Sequence, residues 1–185
     1  RRRPGRFRLL CDVDVPRAHG AVGRVINAAA ERIGRGVGSV AADGVVDVVG
    51  ARADDDVVLE IGPGTGALTS LLLEKKITLY AIEFDDRAVE SLSVQFPQSI
   101  YPNFNLIQKD ILKFDINDLF IIFNKKIKII GNIPYYLSSD ILFYLYSYSK
   151  ITEKAIIMLQ KEFAERLVAV PRTKEYGILT IANEL

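Results

Sequence analysis

The stretch VVLEIGPGTGALTSLLLEKK, residues 57 to 76, constrains the fold more than any other part of the chain. A short, mostly apolar run, three glycines at 62, 64 and 66, and an apolar pattern of helical period describe a buried strand that turns sharply into a helix. The alternation continues: TLYAIE (78–83) reads as a strand, DRAVESLSVQF (86–96) as a helix and NFNLIQKD (103–110) as a strand ending in an acid. KIKII (126–130) reads as a strand, SSDILFYLYSY (138–148) as a helix with Ile141, Leu142, Leu145 and Tyr148 on its buried face, and KAIIMLQ (154–160) as a strand. Strands that alternate with helices build a parallel sheet with helices on both faces, an α/β fold that binds ligands at the carboxyl ends of its strands.

Composition narrows the classes further. The chain has 185 residues, 49% hydrophobic and 25% charged, enough to bury one main core. No apolar run reaches the roughly 18 to 20 residues of a membrane helix, and RRRPGRFRLL lacks the apolar core of a secretory signal. A single cysteine, Cys11, allows no internal disulfide, so a reducing, cytoplasmic setting is expected, with no membrane partner. The net charge of +1 neither requires nor excludes a nucleic-acid partner. Its distribution is uneven: residues 1–56 hold ten of the thirteen arginines and no lysine, while residues 57–185 hold all eleven lysines. The chain thus divides into an atypical Arg/Gly/Ala/Val-rich segment, 1–56, and a regular α/β region, 57–185. In the first segment only AVGRVINAAAERI shows helical spacing, and no strand is expected.

The chemistry-bearing clusters all fall at the ends of expected strands. In EIGPGTG, Glu60 precedes Gly62, Gly64 and Gly66, which let the backbone turn and approach a ligand, with Pro63 stiffening the turn. The spacing is neither the G-x-G-x-x-G of a dinucleotide site nor a P-loop, which needs Gly-Lys-Ser/Thr; a tight turn without a ligand is the plain alternative. Glu83 lies about twenty residues past the glycines, where an acid can accept from ribose hydroxyls. Asp85 and Asp86 fit a helix cap. Asp110 can accept from an adenine amine with Phe84 and Ile111 sandwiching the ring, or can be a loop acid facing water. Together these describe a site for an adenosine without a diphosphate, which S-adenosylmethionine fits through its sulfonium and amino-acid tail. GNIPYY (131–136) follows the next strand. There the side-chain oxygen of Asn132 and the carbonyl of Ile133 can accept the hydrogens of an aromatic amine, Pro134 fixes the turn, and Tyr135 can stack on a flipped base. Core packing of Tyr135 and Tyr136 is the alternative.

VVLEIGPGTGALT, AIEFDD, LIQKDIL, GNIPYYLSS and MLQKEFAERLVAVPRTKEYGILTI resemble, in order and spacing, the ribosomal RNA adenine N6,N6-dimethyltransferases of the KsgA type, over residues about 57–185. The resemblance implies a Rossmann-like S-adenosylmethionine-dependent methyltransferase fold for 57–185, with S-adenosylhomocysteine as product and no metal. It places Gly62, Glu83, Asp110 and Asn132 at the cofactor and Asn132 to Tyr135 at the target adenine. The expected substrate is a pair of adjacent adenines in small-subunit ribosomal RNA or its precursor particle during ribosome biogenesis, and the expected state is a monomer. A large-subunit enzyme of the macrolide-resistance type, a non-catalytic nucleic-acid-binding relative and a methyltransferase acting on another amine are the alternatives. The PRTKEYG stretch is more similar to the small-subunit branch. Two departures accompany the likeness. The family's GQNFL-like segment over the cofactor has only Gly5 and Leu9 or Leu10 to match it, with Leu9 taken as the contact. The family's helical RNA-binding domain is expected to be absent, so weakened cofactor and RNA binding are expected too. Lys125, Lys126, Lys128, Arg166, Arg172, Lys174 and the Arg1 to Arg8 arm are the candidate phosphate contacts, although each alone fits a solvated face better.

Overall fold

The structure is a computed structural model that describes residues 6–11, 50–51 and 56–184; AVGRVINAAAERI lies outside the described residues. Six strands form one sheet: β1 (Arg6–Cys11), β2 (Val57–Ile61), β3 (Thr78–Glu83), β4 (Phe104–Gln108), β5 (Ile127–Asn132) and β6 (Thr152–Leu159). Their spatial order is β1-β6-β5-β2-β3-β4, and every neighbouring pair is parallel. Among the described residues six helices connect or follow them: α1 (Ala67–Glu74), α2 (Asp86–Gln95), α3 (Ile116–Phe123), α4 (Ser138–Ser147), α5 (Lys161–Leu167) and α6 (Ile178–Glu184). Short 3-10 turns cover Ile111–Lys113 and Tyr135–Leu137.

The sheet is buried on both faces, which is why its strands read as nearly continuous apolar runs rather than as alternating ones. All five residues of β2 are buried. On one face Val58, Leu79 and Ile130 pack with Leu72 of α1, Leu92 of α2 and Phe96. On the other, Leu59, Ile61, Ile129 and Ile157 pack with Leu119 of α3, Leu142 and Leu145 of α4 and Phe163 of α5. The chain runs outward from β2 through β3 to β4, then crosses back to place β5 on the other side of β2. The crevice between the carboxyl ends of β2 and β5 is therefore the point where strand order reverses, the usual ligand position in such sheets.

Several elements differ from the sequence expectation. RFRLLC forms β1, in parallel register with Lys154–Leu159, where no strand was expected. The pairing is supplied by the free edge of the eight-residue β6, a tertiary effect that local sequence does not encode. Helix α3 was not anticipated, although Asp115 caps it by accepting from the Asn117 amide at 3.0 Å. Helices α5 and α6 lie in the stretch MLQKEFAERLVAVPRTKEYGILTI, which reads only as a family likeness.

Lys128 corrects a functional expectation. It is neither a phosphate contact nor part of a solvated face, because it is buried in β5. Its Nζ lies 2.6 Å from Asp56 Oδ2 and 3.7 Å from Glu153 Oε1, and donates to the Gly50 carbonyl at 2.9 Å. This ion pair ties the chain entering β2 to β5 at the amino end of the sheet, opposite the crevice. Removing one partner of a buried pair strands the other charge. Lys128→Ala is expected to lower stability by about 3 kcal/mol in urea denaturation, and a loss below about 0.5 kcal/mol would show that the pair contributes little.

Candidate functional site

The turn from β2 to α1 is built on backbone that only glycine adopts easily. Gly62, Gly64 and Gly66 have φ of +66°, +56° and +82°. At Gly66 space is also limiting, since a Cβ there would lie 2.7 Å from Phe96 Cε2 and 2.9 Å from Leu92 Cδ2. A Cβ at Gly64 would meet nothing within 4 Å, so its requirement is conformational alone. The Gly62 amide donates to the Ile82 carbonyl at 2.9 Å, fixing the turn to β3, and a Cβ on Gly62 would stand 3.6 Å from the Asn132 carbonyl oxygen. The glycine turn and the GNIPYY segment thus meet at the crevice.

Glu83, the last residue of β3, holds this corner together. Its Oε2 accepts from the Gly64 amide at 3.1 Å, and Oε1 accepts from the Phe84 and Asp85 amides at 2.7 and 3.0 Å. Three of its about four acceptor positions are therefore used, and the remaining one is on Oε2. Glu83 can accept one further hydroxyl there, and engaging both hydroxyls of a ribose requires release of the Gly64 amide. Asp85 caps α2 as expected, accepting from the Ala88 amide at 2.9 Å. Asp86 accepts from the Gln108 side-chain amide and so joins α2 to β4.

Asp110 follows β4 and caps the next 3-10 turn through the Leu112 amide at 3.0 Å, with Lys113 Nζ 3.9 Å from its other oxygen. Phe84 is 75% exposed, whereas Ile111 is only 7% exposed and belongs to the core, so of the two it is Phe84 that presents an open face. At the end of β5 Asn132 is exposed and Ile133 is buried, its amide directed to the Met158 carbonyl at 3.4 Å. Pro134 has φ of −58°, and its carbonyl accepts from the Leu137 amide at 3.1 Å and from Ser138 Oγ at 3.2 Å. Tyr135 and Tyr136 are 59% and 78% exposed, which rules out core packing as their role.

Glu60 is the acid on which the site's electrostatics turn. It is 1% exposed on β2, accepts from Thr69 Oγ1 at 2.8 Å through Oε2, and has no hydrogen-bond partner at Oε1. Burial pushes its carboxyl up from 4.5 to about 7, partly opposed by the Thr69 hydroxyl and reinforced by the charge of Glu83. Thr69, one α-helical turn from the glycines, is a site residue that sequence reasoning missed. Its signal was a hydroxyl on the helix face that packs against β2.

Leu9 is not brought to the glycine turn. It sits within β1 in register with Ile157, and β6 and β5 lie between β1 and β2. A separate cavity of ≈ 400 Å³, bounded by Tyr80, Phe96, Phe104 and Ile107, lies at the outer edge strand β4. Among the described residues no group of three or more His, Cys, Asp or Glu is placed to hold a metal, and no helix is long and apolar enough to cross a membrane.

A parallel α/β sheet that gathers a glycine turn, two acidic residues and an Asn-Ile-Pro-Tyr edge at its switch point belongs to the class of open α/β folds that bind ligands at the carboxyl ends of their strands. The family model described as ribosomal RNA adenine dimethylase matches residues 40–185, and the chain belongs to that family. The match begins ahead of residue 57, so it extends further into the first segment than the recognisable motifs do. The chain is 45% identical over 134 residues to ribosomal RNA small subunit methyltransferase A of Syntrophus aciditrophicus (strain SB), covering 69% of this chain and 45% of that one. With the protein of the same name from Lactobacillus johnsonii it is 41% identical over 147 residues, covering 75% and 49%. The chain therefore spans about half the length of these relatives. Among solved structures it is similar to a dimethyladenosine transferase from Plasmodium falciparum, with TM-score 0.63, 32% identity and coverage of 76% of this chain and 48% of that one. It also resembles the 23S rRNA methyltransferase ErmE, with TM-score 0.54, 26% identity and coverage of 74% and 50%. The fold is that of the Rossmann-like methyltransferases.

The raised Glu60 carboxyl has a signed consequence for stability. Between pH 4.5 and about 7 the unfolded chain has released the Glu60 proton while the folded chain keeps it. Stability therefore falls as pH rises through that window, by on the order of 3 kcal/mol from this group. Urea denaturation at pH 5 and pH 8 is expected to show that loss in the wild type and a flatter profile in Glu60→Gln; equal slopes in the two proteins would contradict the assignment.

Proposed function

We propose that this chain carries the methyl-transfer site of an S-adenosylmethionine-dependent enzyme that dimethylates the exocyclic N6 amines of adjacent adenines in small-subunit ribosomal RNA. The observation that supports it most is the meeting of Gly62 and Asn132 across the β2/β5 crevice, which sets a cofactor turn directly against a base-holding edge. The residues present fit the cofactor. Glu60 offers an unpaired buried oxygen, Gly62, Gly64 and Gly66 offer a turn without side chains, and Glu83 keeps one acceptor position. Phe84, Asp110 and Ile111 flank the place for an adenine, with Phe84 supplying the exposed ring. S-adenosylmethionine, when bound, supplies an electrophilic methyl group on a sulfonium.

The chain's own residues supply positioning. The lone pair of an adenine amine is delocalised into the ring, and two acceptors for its hydrogens favour the form in which the lone pair is localised. The Asn132 side-chain oxygen and the Ile133 carbonyl take those two hydrogens, and the Pro134 turn, fixed by Leu137 and Ser138, holds both acceptors ready before the base arrives. The exposed ring of Tyr135 stacks on the extruded base. The proton leaves after attack, so no general base is required. Arg166, Arg172 and Lys174, all exposed and following the carboxyl end of β6 in the chain, are candidate phosphate contacts.

The small-subunit target is favoured over the large-subunit one because the relatives at 41 to 45% identity carry the small-subunit name. The enzyme acts as a monomer on the precursor particle in the cytoplasm. Labelled methyl transfer to unmethylated small subunits and to large subunits tests this. Transfer to small subunits is expected, reduced at least about 100-fold by Asn132→Ala, and with RNA affinity lowered by about 1 to 3 kcal/mol in Tyr135→Ala. Transfer confined to large subunits, or equal transfer by the Asn132 variant, would overturn the proposal.

A further inference from the structure

Glu60 has a property that positioning alone does not require. Buried polar atoms are nearly always paired, and an unpaired buried carboxyl oxygen two residues before the Gly62 turn is open to a ligand atom. The two acids of the corner differ in how they are compensated. Three backbone amides donate to Glu83, whereas Glu60 receives one hydroxyl hydrogen bond, from Thr69 on α1, and faces the Glu83 carboxylate from β3. A second negative charge beside Glu83, out of water, is costly unless a cation enters with it.

We propose that Glu60 makes the site selective for a cationic ligand: it stands as a neutral acid before loading and gives up its proton when the positive end of the methyl donor arrives. The carboxyl O–H bond breaks, the proton passes to solvent, and the carboxylate pairs with the ligand cation in the buried site. This rests on the methyl-donor reading above and adds to it a proton that leaves on binding. Burial, which holds the Glu60 carboxyl at about 7, places the effect in the neutral range. Below pH 7 affinity is expected to fall about tenfold per pH unit, and to level off between pH 7 and about pH 8, where a free α-ammonium begins to lose its own charge.

Calorimetry on the full chain at pH 6.5, in phosphate and in Tris, reads the proton directly, because the two buffers differ in heat of protonation. With S-adenosylmethionine the two enthalpies are expected to differ by the heat of protonating about three quarters of a proton equivalent of buffer. S-adenosylhomocysteine keeps the ammonium and loses the sulfonium, so release with it identifies the ammonium as the partner and no release identifies the sulfonium. 5′-Methylthioadenosine, which carries neither cation, is expected to bind without release. Glu60→Gln is expected to abolish release with every ligand. Infrared spectroscopy of the unloaded wild type at pH 6 is expected to show a protonated carboxyl band that titrates near pH 7, a readout that holds even if the variant folds poorly. Equal enthalpies in both buffers with S-adenosylmethionine, release undiminished in Glu60→Gln, or a Glu60 already ionised at pH 6 would overturn the proposal. No heat with any ligand would instead sink the methyl-donor reading itself, and this proposal with it.

Discussion

The contact on which the rest of the structure depends is the close approach of β2 and β5. A Cβ at Gly131 would lie 3.0 Å from both Cβ and the carbonyl oxygen of Ile61, so a side chain at this level needs Ile61 to give by a few tenths of an ångström. The closure sits where strand order reverses, and it carries Asn132 to the edge of the turn that begins at Gly62. A larger residue at 131 would crowd Ile61 at the point where the glycine turn and the GNIPYY segment meet. The apolar layers on either face, Leu72 and Leu92 on one and Leu119 and Leu142 on the other, hold the sheet rigid behind that point.

Around this closure the chain manages negative charge in two ways. Glu83 is held by backbone amides from its own strand end and from the glycine turn, so it acts first as a brace and offers only its remaining acceptor position to a ligand. Glu60 is enclosed between β2 and α1 with a single hydroxyl partner, so burial pushes its carboxyl up to about 7. The pair is asymmetric by construction, and the asymmetry assigns the two acids different tasks. At the opposite end of the sheet a buried cation, Lys128, is paired with Asp56 and ties β5 to the chain entering β2.

Much of this was legible in the sequence, and the exceptions have physical causes. The central strands were readable because strands covered on both faces must be continuously apolar, and the glycine turn because positive φ has few solutions among amino acids. The caps at Asp85 and the exposure of Tyr135 followed from local chemistry. Strand β1 was not readable, since its partner is the edge of β6, more than 140 residues away in the chain. Lys128 looked like a surface lysine because nothing in its neighbours announces Asp56 or Gly50. Leu9 was carried over from a family pattern that GRFRLL scarcely matches, and the structure sets it across the sheet from the turn. The role of Thr69, and with it the unequal treatment of Glu60 and Glu83, depends on the packing of α1 against β2, which no linear motif records.

The central claim is that one adenosyl site forms at the carboxyl ends of β2, β3, β4 and β5. It is tested most directly by mapping backbone amide shifts in a two-dimensional NMR titration with S-adenosylmethionine. Shifts concentrated at Gly62 to Gly66, Glu83 and Phe84, Asp110 and Ile111, and Asn132 are the expected result. Shifts concentrated instead around Tyr80, Phe96 and Phe104 at the β4 edge, or none at saturating ligand, would contradict it.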